Sequence, residues 1–208
     1  MKITKTISSL NSNGFDVWFA NSQFEAIQIF WNEIFNKINP QTVSWGDSLT
    51  LHSLGIVDKL QQLQDVELIE TFGNHLTRRE QIFNRKKALS ADMFLTGTNA
   101  ITNKGQLVNL DMIGNRAAAI AFGPRNVVIF VGINKVVENI DTAMCRIRSI
   151  AAPMNAKRHT DFETPCQETG KCSDCSSPQR ICNTWVITEK SYPIGRIKII
   201  LINEQLGF

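Results

Sequence analysis

Four cysteines, Cys166, Cys172, Cys175 and Cys182, fall within 17 residues with the spacing C-x5-C-x2-C-x6-C. Thiolates are soft ligands, and four of them suit tetrahedral zinc or an iron–sulfur cluster. The chain between them contains Gly, Ser and Pro, so it can wrap around a centre. Only Cys172 and Cys175 have the C-x-x-C spacing. The pattern therefore leaves zinc, a cluster, and free or redox-active thiols all open. Without a metal, Lys171 and Arg180 would lower thiol pKa values nearby. The fifth cysteine, Cys145, lies one step from the apolar stripe of a helix and is expected to be a small core hydrophobe.

A second set of polar residues occupies 92–116, "DMFLTGTNAITNKGQLVNLDMIGNR". Thr96, Thr98 and Asn99 end an apolar strand. Asn109 and Asp111 return beside them if Ala100–Thr102 and Leu107–Leu110 pair across Asn103-Lys104-Gly105. Gly114-Asn115-Arg116 then opens a helix, whose free N–H groups suit an anion. Arg116 is placed to clamp a carboxylate or phosphate bidentately. Asp111 would act as a general base or pair with Arg116. Thr98, Asn99, Asn109, Gly114, Asn115 and Arg116 are thus the expected ligand contacts, with Asp111 and Arg116 the catalytic candidates. The bland alternative is turn and cap chemistry alone. None of the three histidines has a partner at metal-ligand spacing. His52, His75 and His159 are expected to be structural or solvated.

The elements that must position these groups alternate. Ser22-Gln-Phe-Glu25 is a capping box for a helix over 22–38, stopped by Pro40. Thr42–Trp45 is a strand, and Gly46-Asp47-Ser48 turns into a helix reaching about Gln62, breakable at Gly55. Val66–Ile69 is a strand, and Thr77-Arg-Arg-Glu80 caps a helix to about Ser90. In that helix Arg78, Arg79 and Arg85-Lys86-Lys87 read as a solvated face. Asp92–Thr96 and Val127–Val131 are strands, the second apolar throughout and so buried on both faces. Asn134 is expected to cap a helix with Val137, Ile140, Met144, Ile147 and Ala151 along one stripe, ended by Pro153. Thr184–Thr188 and Arg196–Ile202 are the last strands.

Such alternation predicts a three-layer α/β fold: a mainly parallel sheet with helices on both faces, a small β-hairpin and a cysteine-rich loop over 160–183. One domain over 1–208 is expected. Sheets of this kind hold ligands outside the carboxyl ends of their strands. Here those ends are Gly46-Asp47-Ser48, Thr71-Phe72-Gly73, Thr96–Asn99 and Gly132-Ile133-Asn134.

The 208 residues carry 22 Lys+Arg against 19 Asp+Glu, a balance that points away from a dedicated nucleic-acid binder. No apolar run approaches a membrane span, and the start lacks a signal-peptide core, so a cytoplasmic protein with no membrane partner is expected.

The block "ADMFLTGTNAITNKGQLVNLDMIGNRAAAIAFGPRNVVIFVGINKVV", with "IRSIAAPMNAKRH" and "TPCQETGKCSDCSSPQRICN", resembles the LUD (lactate-utilization) domain family, best over 77–203. The resemblance implies a fold like that of glucosamine-phosphate deaminase, ribose-phosphate isomerase and the coenzyme A transferases. It also implies association with oxidation of L-lactate to pyruvate, alongside iron–sulfur oxidoreductase partners. Two functions are expected from this. One is binding of a small anionic metabolite at the strand ends. The other is a metal- or thiol-containing redox module that docks to oxidoreductases without catalysis of its own.

Overall fold

The computed structural model describes residues 2–73 and 75–208. Six strands form a wholly parallel sheet in the order β1-β10-β7-β4-β2-β3. They are β1 (Asp16–Ala20), β2 (Thr42–Trp45), β3 (Glu67–Ile69), β4 (Met93–Gly97), β7 (Asn126–Gly132) and β10 (Ile197–Ile202). A second sheet has the order β8-β5-β6-β9, from β5 (Ala100–Thr102), β6 (Leu107–Asp111), β8 (Val136–Val137) and β9 (Thr184–Thr188).

The strand period of two divides the core between the faces of the large sheet. Val43, Trp45, Met93, Leu95, Val128, Phe130, Ile200 and Ile202 belong to one cluster, with Phe30 and Ile34 of the 23–38 helix and Leu51, Ile56 and Leu60 of the next two helices. Val127, Ile129, Val131, Ile197, Ile199 and Leu201 belong to another, with Leu10 of the first helix and Ile101 and Leu107 of the second sheet. The small sheet thus shares the role of a covering layer with the helices.

Several expectations change in detail. The hairpin at Asn103–Gly105 is present, but it is the centre of a four-stranded sheet. Thr184–Thr188 joins it, antiparallel to β6. A short run such as TWVIT carries no information on which sheet edge it completes. The first helix, Lys2–Ser12, and β1 precede the elements that the sequence pattern marked out. Asn134 does not cap the long helix; Asn139 does, accepting from Thr142 N–H at 2.9 Å. Asn134 instead accepts from Leu206 N–H, tying the C-terminal segment to β7. Pro153 does not end that helix, which runs on to Arg158 through a π-helical segment at Ile147–Ala151. The wider turns shift the hydrogen-bond ladder where proline has no N–H to give. Cys145 lies on the exposed side of the same helix, not in the core.

Candidate functional site

Three of the four strand-end segments meet at one cavity of about 450 Å³, a volume suited to a metabolite. Asp47 and Ser48 reach it from β2, Phe72 and Gly73 from β3, and Gly97, Thr98 and Asn99 from β4. From the fourth end, after β7, Lys135 lines it instead of Gly132, Ile133 or Asn134. Asp111, Asn115 and Arg116 complete that side.

The hairpin brings the expected residues together as a bonded lattice. Arg116 Nε donates to Asp111 Oδ1 at 2.9 Å, and its Nη2 donates to Asn99 Oδ1 at 2.6 Å and to Leu110 O at 3.3 Å. Asn99 Oδ1 also accepts from Leu110 N–H at 3.0 Å. Asp111 Oδ2 accepts from Ala117 N–H at 2.8 Å, in the first turn of the Asn115–Ala121 helix. One N–H of that helix start is therefore taken by Asp111. Both Asp111 and the Nε/Nη2 edge of Arg116 are engaged in holding the wall. The bonds of Arg116 run through Nε and Nη2.

Asn109 lies one layer deeper than expected. Thr98 Oγ1 donates to Asn109 Oδ1 at 3.1 Å, and Asn109 is fully buried and does not line the cavity. Gly114 is also set back; it holds φ at +78°, a backbone state that suits glycine and lets the chain enter the helix. Thr98, Asn99, Asn115 and Arg116 are at the cavity, while Asn109 and Gly114 support it.

The opposite wall holds residues the sequence pattern did not single out as ligand contacts. Arg158 Nη2 donates to Asp47 Oδ1 at 3.0 Å, and His52 Nε2 lies 3.3 Å from the same oxygen. Burial raises the Asp47 carboxyl, but these bonds outweigh it and hold the group at about 2. His159, stacked on Phe162, lines the cavity too. Arg78 and Arg85, expected on a solvated face, both contribute to this wall. The guanidinium of Arg85 sits 4.6 Å from the centre of the Phe72 ring, and its buried Nε has no hydrogen-bond partner. Burial and the neighbouring Arg78 charge push its pKa down. Helical spacing shows which side chains share a face, but not that an insertion between β3 and β4 folds over the sheet edge.

Lys135 was also missed. It is 5% exposed, and its Nζ donates to Thr50 Oγ1 at 3.0 Å. Burial, reinforced by Arg146 and Arg116, brings its ammonium down to about 7. No local signal marked it, since it comes three residues after the end of β7, past Ile133 and Asn134.

The cysteine segment lies alongside. Asn183 N–H donates to Asp111 O at 2.9 Å, so β9 ties the segment's end to the site strand. Cys166, Cys172, Cys175 and Cys182 all line a separate cavity of about 20 Å³, with Arg180 and Ile181. Ile181 also lines the large cavity, forming a shared wall. Asp174, held at φ +49°, donates its N–H to Cys172 Sγ at 3.5 Å, and Arg148 Nη1 lies 3.9 Å from the same sulfur. Among the described residues no three His, Cys, Asp or Glu side chains are gathered as ligands of one metal ion.

A parallel sheet with helices and a second small sheet covering its faces defines a three-layer α/β protein. The chain belongs to the LUD domain family, whose model matches residues 3–202. It is similar to the crystal structure of a DUF162 family protein from Deinococcus radiodurans, DUF162 being the former name of the LUD domain. That similarity has a TM-score of 0.54 at 11% identity, over 98% of this chain and 96% of the other. No protein of curated function matches the chain. No helix among the described residues is long and apolar enough to cross a membrane.

Proposed function

We propose that this LUD-family protein binds a small organic anion in the carboxyl-edge cavity and serves L-lactate oxidation or related redox metabolism. The observation that carries this reading is the charge of the wall. Arg78, Arg85, Arg116 and Arg158 line it together with Asp47, Asp111 and Asp161. A guanidinium group at such a cavity can pair with a carboxylate or phosphate of a ligand. The lactate link and docking to iron–sulfur oxidoreductases rest on the family association.

Calorimetric titration of the protein with L-lactate, pyruvate and phosphate tests the reading. Arg85→Ala is expected to weaken the bound anion by about 1.5–3 kcal/mol, the range for a hydrogen bond to a charged group. The helix carrying it, Arg78–Lys87, contributes no buried residue, so the melting temperature should stay unchanged. Absence of binding by all three anions would remove the reading.

The four-cysteine cavity favours a second reading, a metal- or thiol-containing redox or regulatory module. The spacing leaves zinc and an iron–sulfur cluster both open. Ligation would have to draw the thiolates inward, ordering the segment as it does so. Elemental analysis of anaerobically purified protein should find zinc or iron, and Cys172→Ser should lower the metal content while the sheet stays folded. Metal-free protein whose four thiols all react freely with a thiol reagent would rule this out.

A further inference from the structure

Lys135 has a position that neither anion binding nor fold stability accounts for. It follows β7 in a short 3-10 turn, is almost fully buried, and still lines the large cavity. Its Nζ is held by Thr50 Oγ1, which in turn donates to Leu206 O at 3.2 Å. Among the described residues no carboxylate pairs with it. The charged groups that act on it are both cations, Arg116 from the Asn115–Ala121 helix and Arg146 from the Ile140–Arg146 helix. Arg146 is itself fixed on carbonyl oxygens, Asn134 O at 3.2 Å and Asn99 O at 2.9 Å, so it cannot turn away. A lysine kept for structure or solubility is solvated or paired with a carboxylate. A lysine desolvated beside other cations instead keeps a free lone pair and becomes a nucleophile towards carbonyl carbon. The lowered ammonium pKa of about 7 agrees with this.

We propose that Lys135 forms an imine with the cavity's ligand, which is a small anionic carbonyl compound, a 2-oxo acid being the simplest. This rests on the anion-binding reading above. The ligand's carboxylate takes its counter-charge from the guanidinium groups of the wall, and the amine takes the carbonyl carbon. The Nζ lone pair forms the N–C bond, the C–O bond breaks, and the oxygen leaves as water with the two amine protons. Nothing is oxidised or reduced. Thr50 orients the amine. The consequence is selectivity: a 2-oxo acid would be held covalently and reversibly, while the matching 2-hydroxy acid would be held only by charge.

The full chain would be incubated with pyruvate, 2-oxoglutarate or L-lactate, each with sodium borohydride, which reduces an imine to a stable secondary amine. Peptide mapping by mass spectrometry then locates the adduct. Expected is one adduct per chain at Lys135 with at least one of the two 2-oxo acids, none with L-lactate, and none at the exposed Lys37. Lys135→Arg should abolish the adduct while calorimetry still detects the anion. If that variant fails to fold, the position of the adduct in the wild-type chain decides alone. Anion binding without an adduct at Lys135 overturns the imine and leaves the anion reading standing. No binding and no adduct overturns both.

Discussion

Replacing Arg116 by alanine is expected to destabilise the protein by about 3–5 kcal/mol, the cost of removing one partner of a buried ion pair. The Arg116 and Asp111 side chains are only 16% and 7% exposed. Arg116 joins Asn99 on one arm of the hairpin to Leu110 and Asp111 on the other. Its loss leaves the Asp111 carboxylate with the Ala117 N–H and no countercharge. It also leaves Asn99 Oδ1 with only the Leu110 N–H. Equilibrium urea denaturation at neutral pH measures this directly. Asp111→Asn should cost less, because the amide keeps its shape and can still accept from the helix. The double variant Arg116→Met with Asp111→Leu should recover much of the loss, since neither charge is then stranded. A change below about 1 kcal/mol for Arg116→Ala would mean that the lattice is not structural and the arginine is free to serve a ligand. For the same reason, ligand binding is better probed at Arg85 and Lys135 than at Arg116.

Phe130→Ala is the second large effect, again about 3–5 kcal/mol. Phe130 lies in β7, the strand between β10 and β4, and is fully buried. Its ring meets Phe30 at 5.5 Å edge to face, locking the 23–38 helix to the sheet. Its register partner on β4 is Gly97, which lines the large cavity. Truncation therefore leaves a void directly under the cavity floor. At about 2–4 °C per kcal/mol for a chain of this size, the melting temperature should fall by roughly 6–20 °C. Anion affinity should fall with it, because the floor is no longer held. A melting temperature within about 2 °C of wild type would show that the core repacks around the missing ring.

These effects also show how the two cavities are related. Ile181 and the helix ending at Arg158 stand between them, and β9 anchors the cysteine segment to the strand that carries Asp111. A metal drawn into the thiol cavity would therefore stiffen the wall of the large cavity.

Local patterns in the chain determined a good part of this. Val127–Val131 is apolar without interruption, and only a strand buried on both faces accommodates that. Thr77-Arg-Arg-Glu80 specifies its own capping box through side chains three residues apart. The hairpin at Asn103–Gly105 follows from turn chemistry, and with it the meeting of Asn99, Asp111 and Arg116. These signals are legible because each depends on residues close together in the chain. Tertiary structure alone decided the rest. Whether Asp111 meets a ligand or its own helix depends on how far the chain advances between β6 and that helix. Arg78 and Arg85 look solvated on any helical projection, and reach the cavity only because their helix lies over the sheet edge. Lys135 reads as an ordinary surface residue until Thr50, Arg116 and Arg146 close around it from three other elements. Burial and charge at a site are sums over groups distant in sequence, and no local spacing records them.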